Sequence, residues 1–206
     1  PQDYQEAARL FRLSAEQGHA LARFNLGTMY TTGQGVAQDY KQAVHFYQLA
    51  AQQGDARSLN SLGNLHYHGR GIAQNYKEAS RLYELAARQG DANAQFNLGA
   101  MYATGQGIAQ DYKLAIYFYQ LASQQGEANA QKNLGYFFFN VNGFYEIYTM
   151  AYMWFSLAAS RLGGTDMPGA IKNRDIASSK ITPVQLQQAE RMVELCRNSQ
   201  FEDCEY

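Results

Sequence analysis

Three glycine-bounded loops are the first places where this sequence could do chemistry: "GQGVAQDYKQA" at 33–43, "GRGIAQNYKEA" at 69–79 and "GQGIAQDYKLA" at 105–115. Closely spaced glycines let backbone N–H groups approach a phosphate. A phosphate loop, however, follows a strand and is completed by Lys-Ser/Thr, and neither pattern is present. The loops are therefore read as connectors. His66 and His68 stand two apart, which on a helix turns them to different sides, and His19 and His45 are isolated, so no metal site is expected. No serine sits in a nucleophile elbow, and the tail position of Cys196 and Cys204 suggests no Cys-His pair. The recurring carboxylates Asp39, Asp55, Asp91 and Asp111 stand where a helix start can be capped, and are read as structural. Nothing recommends paired-carboxylate hydrolysis. The expectation is a chain that is not an enzyme, with no catalytic residue and no cofactor.

The composition narrows the partners. With 17 Lys plus Arg against 18 Asp plus Glu, the net charge of -1 supplies no long-range field for a phosphate backbone, so nucleic acid is excluded as the expected partner. At 206 residues and 46% apolar side chains, the chain can bury a substantial core. Two cysteines in the last eleven residues are too few and too local to frame a fold. They are either a short disulfide of the tail, which would imply an oxidising compartment, or two thiols. The chain begins at Pro1 with neither Met nor an apolar signal stretch, so the native N-terminus is expected to be missing. Periplasmic, secreted and cytoplasmic locations all stay open.

The elements that would position these residues follow from an internal repeat. The three loops recur every 36 residues, and residues 19–54 match 91–126 at 26 of 36 positions. Each unit reads as two helices. In "DANAQFNLGAMYATG" Asp91 is the expected N-cap, Ala94, Leu98, Met101 and Tyr102 share a face, and Gly105 stops the helix. In "YKLAIYFYQLASQQ" Asp111 is the expected cap, Tyr112, Ala115, Tyr119 and Ala122 form one stripe, and Gly126 ends it. Gly27, Gly63, Gly99 and Gly135 recur inside the first helices. Each costs about 1 kcal/mol relative to Ala in a helix, so their return predicts that a neighbouring side chain needs the space.

The "LGxMY" first helix, the "GxGVxxDYxxA" connection and the "FYxLAAxQGxAxAxxNLG" continuation resemble the Sel-one-like repeat, a relative of the tetratricopeptide repeat, over residues 4–162. The resemblance implies an all-α fold, a right-handed α-solenoid of about four helical hairpins with first helices lining a concave face. It also implies a protein-interaction scaffold, adaptor or regulator. The expected layout is 1–18 as the second helix of a truncated repeat, repeats at 19–54, 55–90 and 91–126, a degenerate repeat at 127–163, and C-terminal capping helices with a tail at 164–206. The open face of 4–18 is expected to be covered by upstream repeats, another part of the protein or another copy, so self-association is one option.

The stretch "YFFFNVNGFYEIYTMAYMWF" at 136–155 has the length of a membrane span. The 36-residue register instead breaks it at Asn140, Asn142 and Gly143 into two helices of the degenerate repeat, and no membrane span is expected. Val141 and "FYEI" replace the usual connector, and the second helix is expected to run to about Leu162. Phe137, Phe138, Tyr148 and Phe155 fall in packing columns, Tyr136 and Phe139 in groove columns. Beyond it, 167–179 is expected as a helix, followed by a capping helix over "TPVQLQQAERMVELCRN", with Thr182 and Gln185 closing a capping box and Leu186, Ala189, Met192, Val193 and Cys196 facing inward.

Columns that vary between repeats, against a constant packing background, are free to face a ligand. In the first helices these gather on one side, and the expected partner-binding groove comprises Phe24, Arg57, Asn60, Asn64, Tyr67, Phe96, Lys132, Tyr136 and Phe139. Asn side chains can hydrogen-bond a peptide backbone, Arg57 and Lys132 can meet a carboxylate, and aromatics supply contact area. The expected partner is another protein or peptide. The alternative is a cell-envelope protein that binds or hydrolyses peptidoglycan or another glycan, by analogy with cysteine-rich relatives. This chain lacks their cysteine pair in each repeat.

Overall fold

The structure, a computed structural model, describes residues 3–140, 145–164, 166–199 and 204, with backbone alone at 140 and 145–147. The described residues form eleven helices and no strand: α1 Tyr4–Glu16, α2 Ala20–Thr32, α3 Tyr40–Ala51, α4 Ala56–His68, α5 Tyr76–Arg88, α6 Ala92–Thr104, α7 Tyr112–Gln124, α8 Ala128–Asn140, α9 Tyr145–Arg161, α10 Asp166–Ser178 and α11 Pro183–Asn198. Two compact units divide the chain, Pro1–Tyr112 and Lys113–Tyr206.

In the first unit, α2 pairs with α3 and α4 with α5, and each second helix also packs against the following first helix. The repeat sets this directly. Leu26, Met29, Leu62, Leu65, Leu98 and Met101 are buried, as are Ala43 and Ala79 of the partner helices. Gly27 and Gly63 lie under the rings of Tyr47 and Tyr83. A Cβ at either position would stand 2.7 Å from the ring, so the close approach requires glycine. Asp91 and Asp55 cap α6 and α4, and Asp39 and Asn75 cap α3 and α5, each accepting backbone N–H groups of the first turn.

The glycine loops connect helices, and their two glycines have separate duties. Gly33, Gly69 and Gly105 end the first helices in the left-handed conformation. Gly71, also left-handed, lies on the backbone of Tyr40 at the start of α3, where a Cβ would stand 2.5 Å from the carbonyl oxygen. Gly35 lies the same way on Tyr4 and Gly107 on Tyr76, so each loop seats one repeat on the last. A glutamine in each loop completes the joint. Gln74 Nε2 donates to the Tyr67 carbonyl at 2.9 Å and the Tyr76 hydroxyl at 3.0 Å, and Gln38 and Gln110 repeat both bonds.

In the second unit, α9 packs against α8, α10 and α11. Its Met153, Trp154, Phe155, Leu157 and Ala158 are fully buried. The aromatic stretch is thus the end of α8 and the core of α9, with 141–144 outside the described residues. Among the described residues no helix is long and apolar enough to cross a membrane. Phe155 occupies the place over Gly135 that Tyr47 and Tyr83 hold over their glycines. Thr182 and Gln185 close the expected capping box, with Pro183 at the first helical position. Of the two readings of the cysteines, the structure has the disulfide: Cys196 and Cys204 are joined with Cα atoms 5.0 Å apart, and both are buried.

Candidate functional site

The candidate surface is built from the first helices α2, α4 and α6 of the first unit. At its start, the Arg57 guanidinium of α4 lies 4.6 Å from the ring centroid of Phe24 of α2. Its Nη2 donates to Asp55 Oδ2 at 2.8 Å. The other Asp55 oxygen accepts from the Ser58 N–H and hydroxyl at 2.8 and 2.9 Å. Phe24 and Arg57, adjacent repeats apart in sequence, are therefore one feature. A guanidinium held over a ring by a carboxylate is oriented before any ligand arrives, and the cation–π contact contributes about 0.5–1 kcal/mol when exposed.

The two capping aspartates differ in consequence. Desolvation pushes the Asp55 carboxyl up, but the hydrogen bonds from Arg57 and Ser58 more than offset it and hold the group below the ordinary aspartate range. Asp91, the same cap one repeat later, has Asn93 where Asp55 has Arg57. There burial dominates over the backbone N–H groups of Ala94 and Asn93, the Asp55 charge adds to it, and the carboxyl is raised. A depressed folded pKa gives stability that is complete above the unfolded value and lost as pH falls through the folded one. Chemical denaturation across about pH 2–5 should therefore show less acid destabilisation in Asp55→Asn than in the wild type. At neutral pH that variant should lose at most about 1 kcal/mol, because the pair is half exposed and Asn still caps, as Asn75 does. Asp91→Asn should behave oppositely. A raised carboxyl pKa favours the fold at low pH and is a liability as pH rises through it, so this variant should hold its stability better on going from acid to neutral.

Further along, Asn97 of α6 donates through Nδ2 to Asn60 Oδ1 at 2.9 Å and Asn64 Oδ1 at 3.4 Å. The Asn64 oxygen also accepts from the Tyr83 hydroxyl at 2.7 Å. Asn60 is buried, at 8% exposure, so its carboxamide joins two repeats at the floor of the surface. Asn64 is half-buried above it. Tyr83 of the second helix α5 lies buried over Gly63 and reaches Asn64 from beneath this surface, and burial, with a smaller contribution from Tyr67, pushes its hydroxyl pKa up, so it stays a neutral donor. Tyr47 lies buried over Gly27 and shares hydrogen bonds with the Thr28 and Thr31 hydroxyls at 3.1 and 3.3 Å. At the far edge the Tyr67 hydroxyl donates to Gln106 Oε1 at 2.5 Å, and its ring meets Tyr76 edge-on. Phe96 is half-buried on α6.

Lys132, Tyr136 and Phe139 lie on α8 of the second unit. Lys132 Nζ is 3.6 Å from Asp166 of α10. Tyr136, 39% exposed, sets its edge against Phe155, and Phe139 contacts Phe155 and Tyr148. Tyr136, Phe139, Tyr148 and Phe155 form an aromatic patch within the second unit. Sequence reasoning missed Asn97, Tyr47 and Tyr83 as surface-shaping residues because their columns hardly vary, and constancy assigned them to packing. The available signal was chemical: a repeated tyrosine in a buried stripe needs a partner for its hydroxyl.

The fold and the repeat chemistry agree with comparison to known proteins. The Sel1 repeat profile matches residues 1–19, 20–55, 56–91, 92–127 and 128–161. A Sel1 repeat protein from Oxalobacter formigenes is similar at 29% identity, with a TM-score of 0.75 over 95% of this chain and 80% of that one. Protein c5321 of uropathogenic Escherichia coli, a protective antigen with an SLR fold, is 21% identical, with a TM-score of 0.51 over 97% and 74% of the two chains. Immunity protein Pa5087 from Pseudomonas aeruginosa is also 21% identical, with a TM-score of 0.57 over 92% and 76%. At that identity these last two show a shared fold alone. No curated protein matches this chain. Five consecutive matches that cover the helical hairpins place the chain in the Sel1 repeat family.

Proposed function

We propose that this chain is a non-enzymatic interaction module that binds an extended segment of a partner protein on the α2–α4–α6 face. Sel1 repeat proteins are generally protein-interaction scaffolds. The observation that carries the finer reading is Arg57 held over Phe24 by Asp55, an oriented cation beside an aromatic on the variable side of the repeats. A partner carboxylate can meet the exposed guanidinium, and the Asn64 amide, whose oxygen is already occupied, presents its N–H groups to a peptide carbonyl. Phe96 and Tyr67 add apolar area along the same face. Lys132, Tyr136 and Phe139 of α8 are proposed as a second contact patch for the same class of ligand.

The test is selection of peptides from a random library against the purified chain, followed by affinity measurement on variants. Arg57→Ala and Phe24→Ala should each weaken selected peptides about tenfold, equivalent to about 1.4 kcal/mol. Arg88→Ala, on the second-helix surface where Arg88 pairs with Glu84, should leave affinity unchanged. Peptides that bind equally well to all three variants would remove the α2–α4–α6 face as the site.

A further inference from the structure

A cleft of about 570 Å³ opens in the second unit, with Tyr152 and Ser156 of α9, Arg174 of α10, and Glu190, Glu194 and Arg197 of α11 among its lining. Positions 190, 194 and 197 lie on one face of α11, because steps of four and three return a helix to the same side. The charges at a spacing of three are not closed here as they are in two earlier helices. In α1 and α5, Glu6–Arg9 and Glu78–Arg81 close ion pairs at 2.7 and 2.6 Å across a spacing of three. Glu194 and Arg197 have that same spacing, yet neither they nor Glu190 form an ion pair among the described residues. Glu190 and Glu194 are also like charges one turn apart, an arrangement that works against the helix. Arg174 is turned to Asp175, with Nε and Nη2 both donating to Oδ1 at 2.9 and 2.7 Å. What the cleft offers a ligand is therefore two carboxylates and one unpaired guanidinium, with the Arg174 edge beside them.

We propose that this cleft binds a free basic α-amino acid: its carboxylate on Arg197, its two ammonium groups on Glu190 and Glu194. The charge count selects this class. A simple anion meets two carboxylates, a simple amine leaves Arg197 uncompensated, and a neutral zwitterion leaves one glutamate unmatched. The Cys196–Cys204 disulfide ties the chain after α11 to the residue next to Arg197, which restrains the last turn of the helix that carries the site.

The experiment is calorimetric titration of the full chain with L-lysine, Nα-acetyl-lysine, lysinamide, L-alanine and acetate. L-Lysine should saturate. Nα-acetyl-lysine and L-alanine, each short of one ammonium, and lysinamide, short of the carboxylate, should bind about tenfold more weakly, and acetate should not bind measurably. Ala-Lys and Lys-Ala, in which the peptide bond removes the lysine's own α-ammonium or carboxylate, should also bind about tenfold more weakly than L-lysine. Glu194→Gln and Arg197→Gln alter exposed side chains, and circular dichroism checks that each folds. Each should weaken L-lysine about tenfold, and added salt should weaken the wild type toward the variants. No saturation by L-lysine, equal binding of L-alanine, or unchanged binding in both variants would overturn the assignment.

Discussion

Gly71→Ala should lower the stability of the first unit by about 2–5 kcal/mol, a loss that Gly90→Ala, also at a left-handed glycine, should not match. Both glycines have a backbone conformation that a Cβ-bearing residue resists, at φ of +71° and +85°, which by itself costs about 1–2 kcal/mol. They differ in surroundings. Gly90 has nothing within 4 Å of where a Cβ would sit, whereas at Gly71 the methyl would stand 2.5 Å from the Tyr40 carbonyl oxygen. That neighbour is backbone at the start of α3, so it moves only if the repeat-on-repeat seat opens, an overpacking cost of about 1–3 kcal/mol more. Urea denaturation of the two variants isolates the contact as the difference between them. Equal losses would show that the seat yields without cost and that the second glycine of the loop serves conformation alone.

Phe155→Ala should cost about 3–5 kcal/mol in the second unit, the range for removing a fully buried aromatic ring. The ring covers Gly135, supports Tyr136 and Phe139 from beneath, and packs in one cluster with Ala151 and Ala177, so it joins α8, α9 and α10. Its loss leaves a cavity where α8, α9 and α10 meet. Thermal unfolding followed by near-ultraviolet circular dichroism should show the lower midpoint and the loss of ordered aromatic signal together. Phe155→Leu retains part of the volume and should lose less. A Phe155→Ala variant as stable as the wild type would mean that α8 and α9 collapse onto each other, which the Gly135 backbone contact makes testable by hydrogen exchange along α8.

The fold was legible because the same problem is solved every 36 residues. Leu26, Leu62, Leu98 and Leu134 return at one helical phase, so their shared burial follows from periodicity alone. The glycines inside first helices pointed correctly to a close neighbour because their cost in a helix demands compensation, and the register placed Phe155 in the packing column of Tyr119. The candidate surface was legible only in part. Variation between repeats separated an outer side from a packing side. It did not separate Asn60, which lies at the floor joining α4 to α6, from Arg57, which stands at the surface on Phe24. Both columns vary, but depth depends on the angle at which two helices meet, a property of the whole interface and of no single column.

By itself, then, the sequence determined the helical hairpin, its 36-residue period, its caps and the repeated leucine column of its core, because local periodicity and repetition encode all of these. Tertiary structure decided which side chains meet across repeats. The stacking of Arg57 on Phe24, the Asn97 bridge to Asn60 and Asn64, the hydrogen bond of the buried Tyr83 hydroxyl to Asn64, and the unpaired charges of α11 around a cleft all depend on distances between helices. Those distances are set when bulky rings settle over glycines, an outcome of packing that no spacing along one helix contains.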